Sequence, residues 1–342
     1  MYLCKMKRIN WIDWAKAIAI TMVVFGHLPM EENNYLLRYI TVFHMPLFFF
    51  ISGNLSKTNQ PTKKQFSKYF TSLVYPYIIY NIVFYPYWLA RYYIKNDFHL
   101  GTTYDWLIKP FWGAMLLQHE SHFSCVLNGV TWFIAALLIM KIVLSIVSRT
   151  NSNSILVIIS ILCIIGYVSN EQILFTKDLT PIGFMKCFPF FILGYKLKNS
   201  PILCTINTKR DFTMSVIGVI ISNIAFILSR ENSNYIINSC LFYIICVSGI
   251  MLILSICRLL DNFYSNIIIT ISNGTLMIMG LHWMIMGIIN YSLCYVFAID
   301  NSLLAFTTIQ GILICFVIEF IIYFFIKWSI KYTPILIGKS QT

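Results

Sequence analysis

The sequence predicts an all-α fold, a polytopic transmembrane helical bundle of about ten spans with both termini in the cytoplasm. Composition is the first reason. Of the 342 residues, 58% are hydrophobic and 11% are charged, whereas a soluble domain carries about 25% charged residues. A soluble core of this size cannot hide so much apolar surface from water, but a bilayer accepts it. The second reason is that the apolar residues form runs of about 20 residues, which is the length of a span.

Ten apolar runs are long enough to be predicted as spans. They are Ile9 to Leu28, Leu36 to Leu55, Tyr69 to Ile94, Val130 to Val147, Ser154 to Val168, Pro181 to Leu197, Phe212 to Leu228, Ile236 to Leu260, Gly274 to Phe297 and Leu303 to Lys327. The mixed, aromatic segment Lys95 to Asn128 is expected to lie partly in the membrane interface. Because no repeat or low-complexity linker divides the chain, we expect one membrane domain over residues 1–342, with a core of 8–328.

The third reason is the placement of the basic residues, which sit in short clusters between the apolar runs. Cytoplasmic loops of membrane proteins carry an excess of Lys and Arg. With the N-terminus in the cytoplasm, 16 of the 25 basic residues fall in cytoplasmic loops and three fall within spans. The six outward ones are Arg38, Arg91, Lys95, Lys109, Lys177 and Arg230. The net charge of +12 is therefore explained by topology, and no nucleic-acid partner is expected.

The N-terminal segment is expected to remain attached as part of the first span. Met1 to Arg8 is basic and precedes an apolar stretch, as in a signal peptide. However, Asp13 and Lys16 interrupt that stretch, and no small-residue cleavage site follows. The ten cysteines are scattered without a CxxC pair, so we expect packing residues rather than disulfides or a metal site.

Ionisable residues inside the predicted spans are the candidates for function, because charges are costly in a bilayer. These residues are Asp13, Lys16, His27, His44, Lys141, Lys186, His282 and Glu319. Lys141 is near the end of its span and is interpreted as a side chain that reaches back to the interface. Lys186 is expected either to line a cytoplasm-facing cavity or to pair with Glu319.

The first span places a cation and an imidazole on one face. Lys16 and His27 are eleven residues apart, so they lie within about 20° of the same helix face and about 16 Å apart along the axis. They are expected to line one passage, and Asp13, one turn before Lys16, can pair with it. A lysine that reaches the interface and an interfacial histidine would give the same spacing.

The second span carries His44 two residues before Pro46. A proline inside a helix removes one backbone donor and frees a carbonyl, here that of Val42. His44 is therefore either a functional imidazole or the group that satisfies the freed backbone. This motif alone does not separate an enzyme from a transporter.

Together the two spans resemble the membrane-bound acyltransferase-3 family, in particular its fucose 4-O-acetylase-like branch. The resemblance rests on Lys16 and His27 within the first span and on Phe43 to Gly53 in the second. Weaker similarities follow in family order, at Thr131 to Phe133, Phe188 to Tyr195, and Ser272 to His282. The family often has Arg where Lys16 stands and an aromatic residue where Asn54 stands. Lys lacks the bidentate fork of Arg, so a phosphate contact there would differ in geometry.

The resemblance implies an integral membrane O-acetyltransferase of the bacterial inner membrane. Its acyl donor would be acetyl-CoA, held from the cytoplasmic side without a metal, and its acceptor a hydroxyl of a sugar or cell-surface glycan. The implied catalytic residues are His27 as general base with His44 and His282, and the implied cofactor-binding residues are Lys16, Asp13 and Lys186. His44 and His282 would orient His27, bind the acceptor or stabilise the developing oxyanion.

Two other functions fit part of the sequence. A transporter or flippase of a glycan intermediate also has many spans, broken helices and intramembrane charges. A membrane scaffold would need none of the charged groups for chemistry. The identity of the acceptor, the acyl group and the leaflet in which transfer occurs are left open by the sequence.

Overall fold

The computed structural model describes residues 9–58, 62–115, 127–150, 153–169, 180–300 and 303–339. These ranges are helical and contain no strand, apart from one isolated bridge between Met30 and Phe306. The helices are α1 (Asn10–Gly26), α2 (Tyr35–Asn54), α3 (Thr62–Tyr69), α4 (Tyr75–Lys95), α5 (Lys109–Met115), α6 (Trp132–Val147), α7 (Asn153–Val168), α8 (Thr180–Leu197), α9 (Pro201–Cys204), α10 (Thr208–Glu231), α11 (Tyr235–Leu259), α12 (Asn266–Asn273), α13 (Thr275–Phe297) and α14 (Thr308–Tyr332). Short π and 3₁₀ turns are Phe70–Val74, Tyr104–Ile108, Gly129–Thr131 and Pro334–Ile337.

The prediction of an all-helical membrane protein is confirmed. Six helical segments of the described ranges are long and apolar enough to cross a membrane, namely Tyr35–Asn54, Gly129–Val147, Thr208–Glu231, Tyr235–Leu259, Thr275–Phe297 and Thr308–Tyr332. Each of the ten predicted spans coincides with a helix, but the number of ten and the cytoplasmic termini stay predictions. Of the predicted interfacial segment, residues 116–126 lie outside the described residues, as do Met1 to Arg8 and Lys177.

Helix α1 lies at the centre of the helices that carry the candidate residues. It packs against α2, α11, α12, α13 and α14. Ala15 and Ala19 have no exposed surface, and such small residues let neighbouring helix backbones approach closely. The first helix is thus surrounded by protein on most of its circumference, unlike a peripheral anchor.

Helices α2 and α8 cross at two facing glycines. A Cβ atom on Gly194 would lie 2.0 Å from the carbonyl oxygen of Phe50, and one on Gly53 would lie 1.9 Å from that of Phe191. Only hydrogen fits at these points, since real Cβ contacts are never this short. The crossing fixes α2, and therefore His44, relative to α8.

Helices α12 and α13 are two parts of one broken helix, joined at Gly274. The sequence predicted α13 but not α12. A Cβ on Gly274 would lie 2.3 Å from the side chain of Ile326, so α14 packs tightly against the break. At the other end of α1, the loop that follows His27 pairs with the loop before α14: Phe306 donates its N–H to Pro29 O at 2.8 Å, and Glu31 donates to Phe306 O at 3.2 Å.

Candidate active site

Lys16 and Asp13 bind the same residue at the break between α12 and α13. The Lys16 ammonium donates to the carbonyl oxygen of Ser272, and the Ser272 hydroxyl donates to Asp13 Oδ1 at 2.5 Å. A cation is favourable at the C-terminal end of a helix such as α12. Asp13 and Ser272 are buried. Asp13 and Lys16 are therefore both attached to α12 through Ser272.

His27 lies at the opposite end of α1 and faces α13. Its ring centroid is 5.1 Å from that of His282 in an edge-on arrangement, and 6.4 Å from that of Trp283. Its Nδ1–H donates to the carbonyl oxygen of Val23 at 2.8 Å. Because a carbonyl can only accept, this contact assigns the proton to Nδ1 and leaves Nε2 as the basic nitrogen of the neutral ring.

His282 is the most deeply buried of the three imidazoles, with no exposed surface. Its Nδ1–H donates to the carbonyl oxygens of Ile278 at 2.8 Å and Met279 at 3.0 Å. Its Nε2 is buried and has no hydrogen-bond partner. Buried polar atoms are nearly always satisfied, so this nitrogen, beside a second imidazole, is a candidate contact for a ligand.

His44 joins the same cluster from α2. Its ring atoms Cε1 and Nε2 lie 3.9 Å from the position that a Cβ on Gly26 would take, directly beside His27 in the sequence. Its Nδ1–H donates to Ile40 O at 3.2 Å. The carbonyl of Val42, freed by Pro46, is contacted instead by the Cys246 thiol at 3.5 Å. The alternative in which His44 satisfies the freed backbone is therefore wrong.

The face of α1 between Lys16 and His27 is packed. Ile20 and Val23 lie on that face, and neither has any exposed surface. The two predicted residues share one side of the helix, as expected from their spacing. In addition, Lys16 contacts Ser272 of α12 and His27 contacts His282 of α13. The open passage expected between them is closed by apolar side chains in this structure.

Lys186 does not pair with Glu319. Its ammonium lies 4.3 Å from the ring centroid of Phe242, while Glu319 Oε1 accepts a hydrogen bond from Thr21 at 2.7 Å. Lys186 is twelve residues before Lys198, about 18 Å along the helix direction. It thus lies about three turns before the C-terminal end of α8.

A cleft of about 930 Å³ opens beside the Asp13 end of α1. Asp13, Asn54, Lys57 and Lys198 are among its lining residues. The cleft therefore borders the predicted cytoplasmic ends of α1, α2 and α8. Within the described residues, no group of three or more His, Cys, Asp or Glu side chains is arranged to hold a metal ion.

Sequence reasoning missed Asn128, which precedes α6. Its Nδ2 donates to Gly280 O at 3.0 Å, two residues before His282, and its Oδ1 is buried without a partner. The preceding loop gave no periodic signal. The Asn-Gly pair ahead of Thr131 to Phe133 reads as an ordinary turn, so only the folded contact to α13 identifies this residue.

The chain was then compared with known proteins. The profile of the acyltransferase-3 family, described as an acyltransferase domain, matches residues 9–328. No curated protein and no solved structure matches the chain significantly. The matched range includes all three histidines and both residues that meet at Ser272. Because it covers nearly the whole chain, and because the helices are those of an integral membrane protein, the protein belongs to the acyltransferase-3 family and is a membrane acyltransferase.

Proposed function

We propose that the protein transfers an acetyl group from cytoplasmic acetyl-CoA to a hydroxyl of a sugar or cell-surface glycan, in the cytoplasmic membrane of a bacterium. Family membership supports the acyl transfer. The observation that carries the site is the contact between the His27 and His282 rings at 5.1 Å, with an unpartnered buried nitrogen on His282. The acetyl group, the glycan acceptor and the relation to fucose 4-O-acetylases follow from the sequence resemblance.

His27 is the general base of this proposal. Its Nε2 takes the proton of the acceptor hydroxyl as the oxygen attacks the thioester carbonyl. The C–O bond forms, the C–S bond then breaks, and the proton on His27 goes to the departing CoA thiolate. A positioned histidine contributes about 10²–10⁴-fold to such a step.

His282 and His44 act around that base. The edge-on His282 ring fixes the orientation of His27, and its Nε2 can accept a hydrogen bond from the acceptor sugar. His44 approaches from α2 and completes the polar wall. Imidazoles at such sites also stabilise charge that develops on the reacting oxygen. Asn128, held against Gly280, offers a further acceptor on the α13 side.

The donor end of the site lies at Asp13, Lys16 and the cytoplasmic cleft. Lys16 has three donor hydrogens, one of which goes to Ser272 O. Because the α1 face between Lys16 and His27 is closed, the proposal requires the arm of the donor to separate α13 from α1. The break at Gly274 is the place where α13 can pivot. Lys186, over the Phe242 ring, is assigned to the imidazole end and not to the phosphates.

The direct test is acetyl transfer by purified His27→Ala protein in detergent, with acetyl-CoA and the glycan fraction of the source cell. The expected result is a loss of about 10²-fold or more in kcat, with the protein still inserted and folded. His99→Ala is the matched control, since His99 is exposed in a loop away from the cluster. Transfer at the wild-type rate by His27→Ala would remove the base from the proposal.

A further inference from the structure

Two lysines donate hydrogen bonds to the buried residue Ser56 at the end of α2, and a third lysine follows it in the chain. Lys141, from α6, donates to the Ser56 hydroxyl at 3.2 Å. Lys198, just after α8, donates to the Ser56 carbonyl at 2.8 Å. Lys57 follows Ser56 in the chain, and its own carbonyl accepts a hydrogen bond from Gln65 at 3.0 Å. The three side chains, called the Ser56 lysine cluster below, come from three separate parts of the sequence.

The cluster has no acidic partner within the described residues. Nearby ion pairs of that part of the chain join Arg210 and Arg258 to Asp211, so that carboxylate is already engaged. Lys141 contacts the Ser56 hydroxyl and, at 6.0 Å, the ring of Tyr69. Burial, with a smaller contribution from the charge of Lys57, lowers the pKa of Lys198. Like charges held together without an anion are unfavourable, which points to an anion that binds there.

The cleft described above gives such an anion a place. Lys57 and Lys198 are on its wall, with the amides of Asn54 and Asn199 beside them. Asp13, attached to Ser272, lines the same cleft. A ligand that lies in it with its anionic end at the lysines extends toward α1 and the α12–α13 break, and therefore toward the proposed route to His27.

We propose that the Ser56 lysine cluster binds the phosphate groups at the nucleotide end of the acyl donor. This inference rests on the proposed function and specifies where the donor enters. Lys57 and Lys198 contact the phosphates from the cleft wall, while Lys141 adds positive charge from behind Ser56. The thioester end of the donor then lies on the side of Asp13.

The first experiment measures the affinity of purified protein, in a detergent free of anionic lipid, for adenosine 3′,5′-bisphosphate. The double variant Lys57→Met with Lys198→Met is expected to bind about 10- to 100-fold more weakly, as for lost hydrogen bonds to charged groups. The matched control is Lys209→Met with Lys331→Met, which removes the same charge from exposed positions outside the cleft. Equal affinities of the two double variants would overturn the proposal.

A second measurement separates this inference from the enzymatic proposal. The preference for acetyl-CoA over acetyl-pantetheine, taken as the ratio of their kcat/KM values, is expected to fall about 10-fold or more in the lysine double variant. An unchanged ratio in an active enzyme overturns the lysine site and leaves the acetyltransferase standing. If instead the protein binds the bisphosphate through the lysines but transfers no acetyl group, the lysine site stands and the acetyltransferase proposal is overturned.

An anionic lipid headgroup carries the same phosphate chemistry and is the other source of such an anion. The same binding measurement is therefore repeated in nanodiscs made with and without phosphatidylglycerol. Lysine-dependent bisphosphate binding in neutral nanodiscs supports the nucleotide. The lysine substitutions could instead abolish the stabilisation of the protein by phosphatidylglycerol and leave its affinity for the bisphosphate unchanged. That result would overturn the proposal in favour of the lipid. Lys141→Met, which keeps the length of a half-buried side chain, is expected to weaken bisphosphate binding as well, and an unchanged affinity would remove Lys141 from the cluster.

Discussion

The three histidines of the cluster share one local hydrogen bond. In each, Nδ1–H donates to a carbonyl four residues earlier, those of Val23, Ile40 and Ile278. The sequence identified the three positions from their cost in a bilayer and from family resemblance. It could not predict that they meet, because His27, His44 and His282 come from α1, α2 and α13, and helix spacing alone carries no information on which helices are neighbours.

At the residue scale, His282→Asn separates positioning from packing. The shorter amide can still donate toward the preceding turn but has no nitrogen at the place of Nε2. We expect kcat to fall about 10²-fold while KM for acetyl-CoA and the thermal unfolding temperature stay close to wild type. Steady-state kinetics and a melting curve measure these quantities. A lower unfolding temperature with unchanged kcat would make His282 a packing residue.

At the element scale, close helix crossings depend on glycines. Gly183 lies against the ring of Trp132 in α6, and Gly194 lies against the backbone of Phe50 in α2. The partner of each glycine was not predictable. The break that creates α12 was also missed, since Asn273-Gly274 was read as the start of a span.

Gly194→Ala is expected to destabilise the protein by about 1–3 kcal/mol or more, as overpacking does, because its Cβ would meet the backbone of Phe50. Gly166→Ala is the matched control. There the added Cβ would meet only the end of the Met185 side chain, which is flexible and can move. Folded yield and thermal unfolding in detergent compare the two. Equal stability of the two variants contradicts the rigid crossing.

The closed face of α1 leads to a second prediction at this scale. If the donor arm separates α13 from α1, amide hydrogen exchange in Ser272 to Gly280 increases when CoA is added. A local opening at the break would expose backbone amides that are protected in the closed structure. Exchange mass spectrometry with and without CoA gives the answer. Exchange that decreases or stays the same there means that the donor takes another route.

At the scale of the whole molecule, the apolar runs predicted the helices well because the bilayer imposes both a length and a composition on each span. α1 was predicted as Ile9 to Leu28 and is Asn10–Gly26. The lysines near Ser56 could not be predicted as a cluster. Lys141 was interpreted as reaching the interface, and its ammonium donates to Ser56 at the end of α2. The packing of α6 against α8 and against the segment that follows α3 brings it there.

Ten spans with cytoplasmic termini give a definite pattern in reporter fusions. Alkaline phosphatase fused after Asp97 or Asn232 is expected to be active, because the predicted topology places both positions outside, whereas fusions after Arg149 or Lys209 are expected to be inactive. The excess of basic residues in the cytoplasmic loops sets this orientation. Phosphatase activity in intact cells, corrected for fusion abundance, is the measurement. Active fusions after Lys209 would mean that α7 or α8 does not cross.

The hydrogen bond from Nδ1 to the preceding turn leaves each imidazole with one nitrogen, Nε2, that can exchange a proton. A proton collected at Nε2 of His27 cannot exit through the far edge of the ring while that edge is tied to Val23 O, so it has to depart from the nitrogen where it arrived. Sugar oxygen and thiolate sulfur must both come within reach of one atom. Such a geometry suits direct transfer of the acetyl group between two bound substrates, without an acetylated protein intermediate.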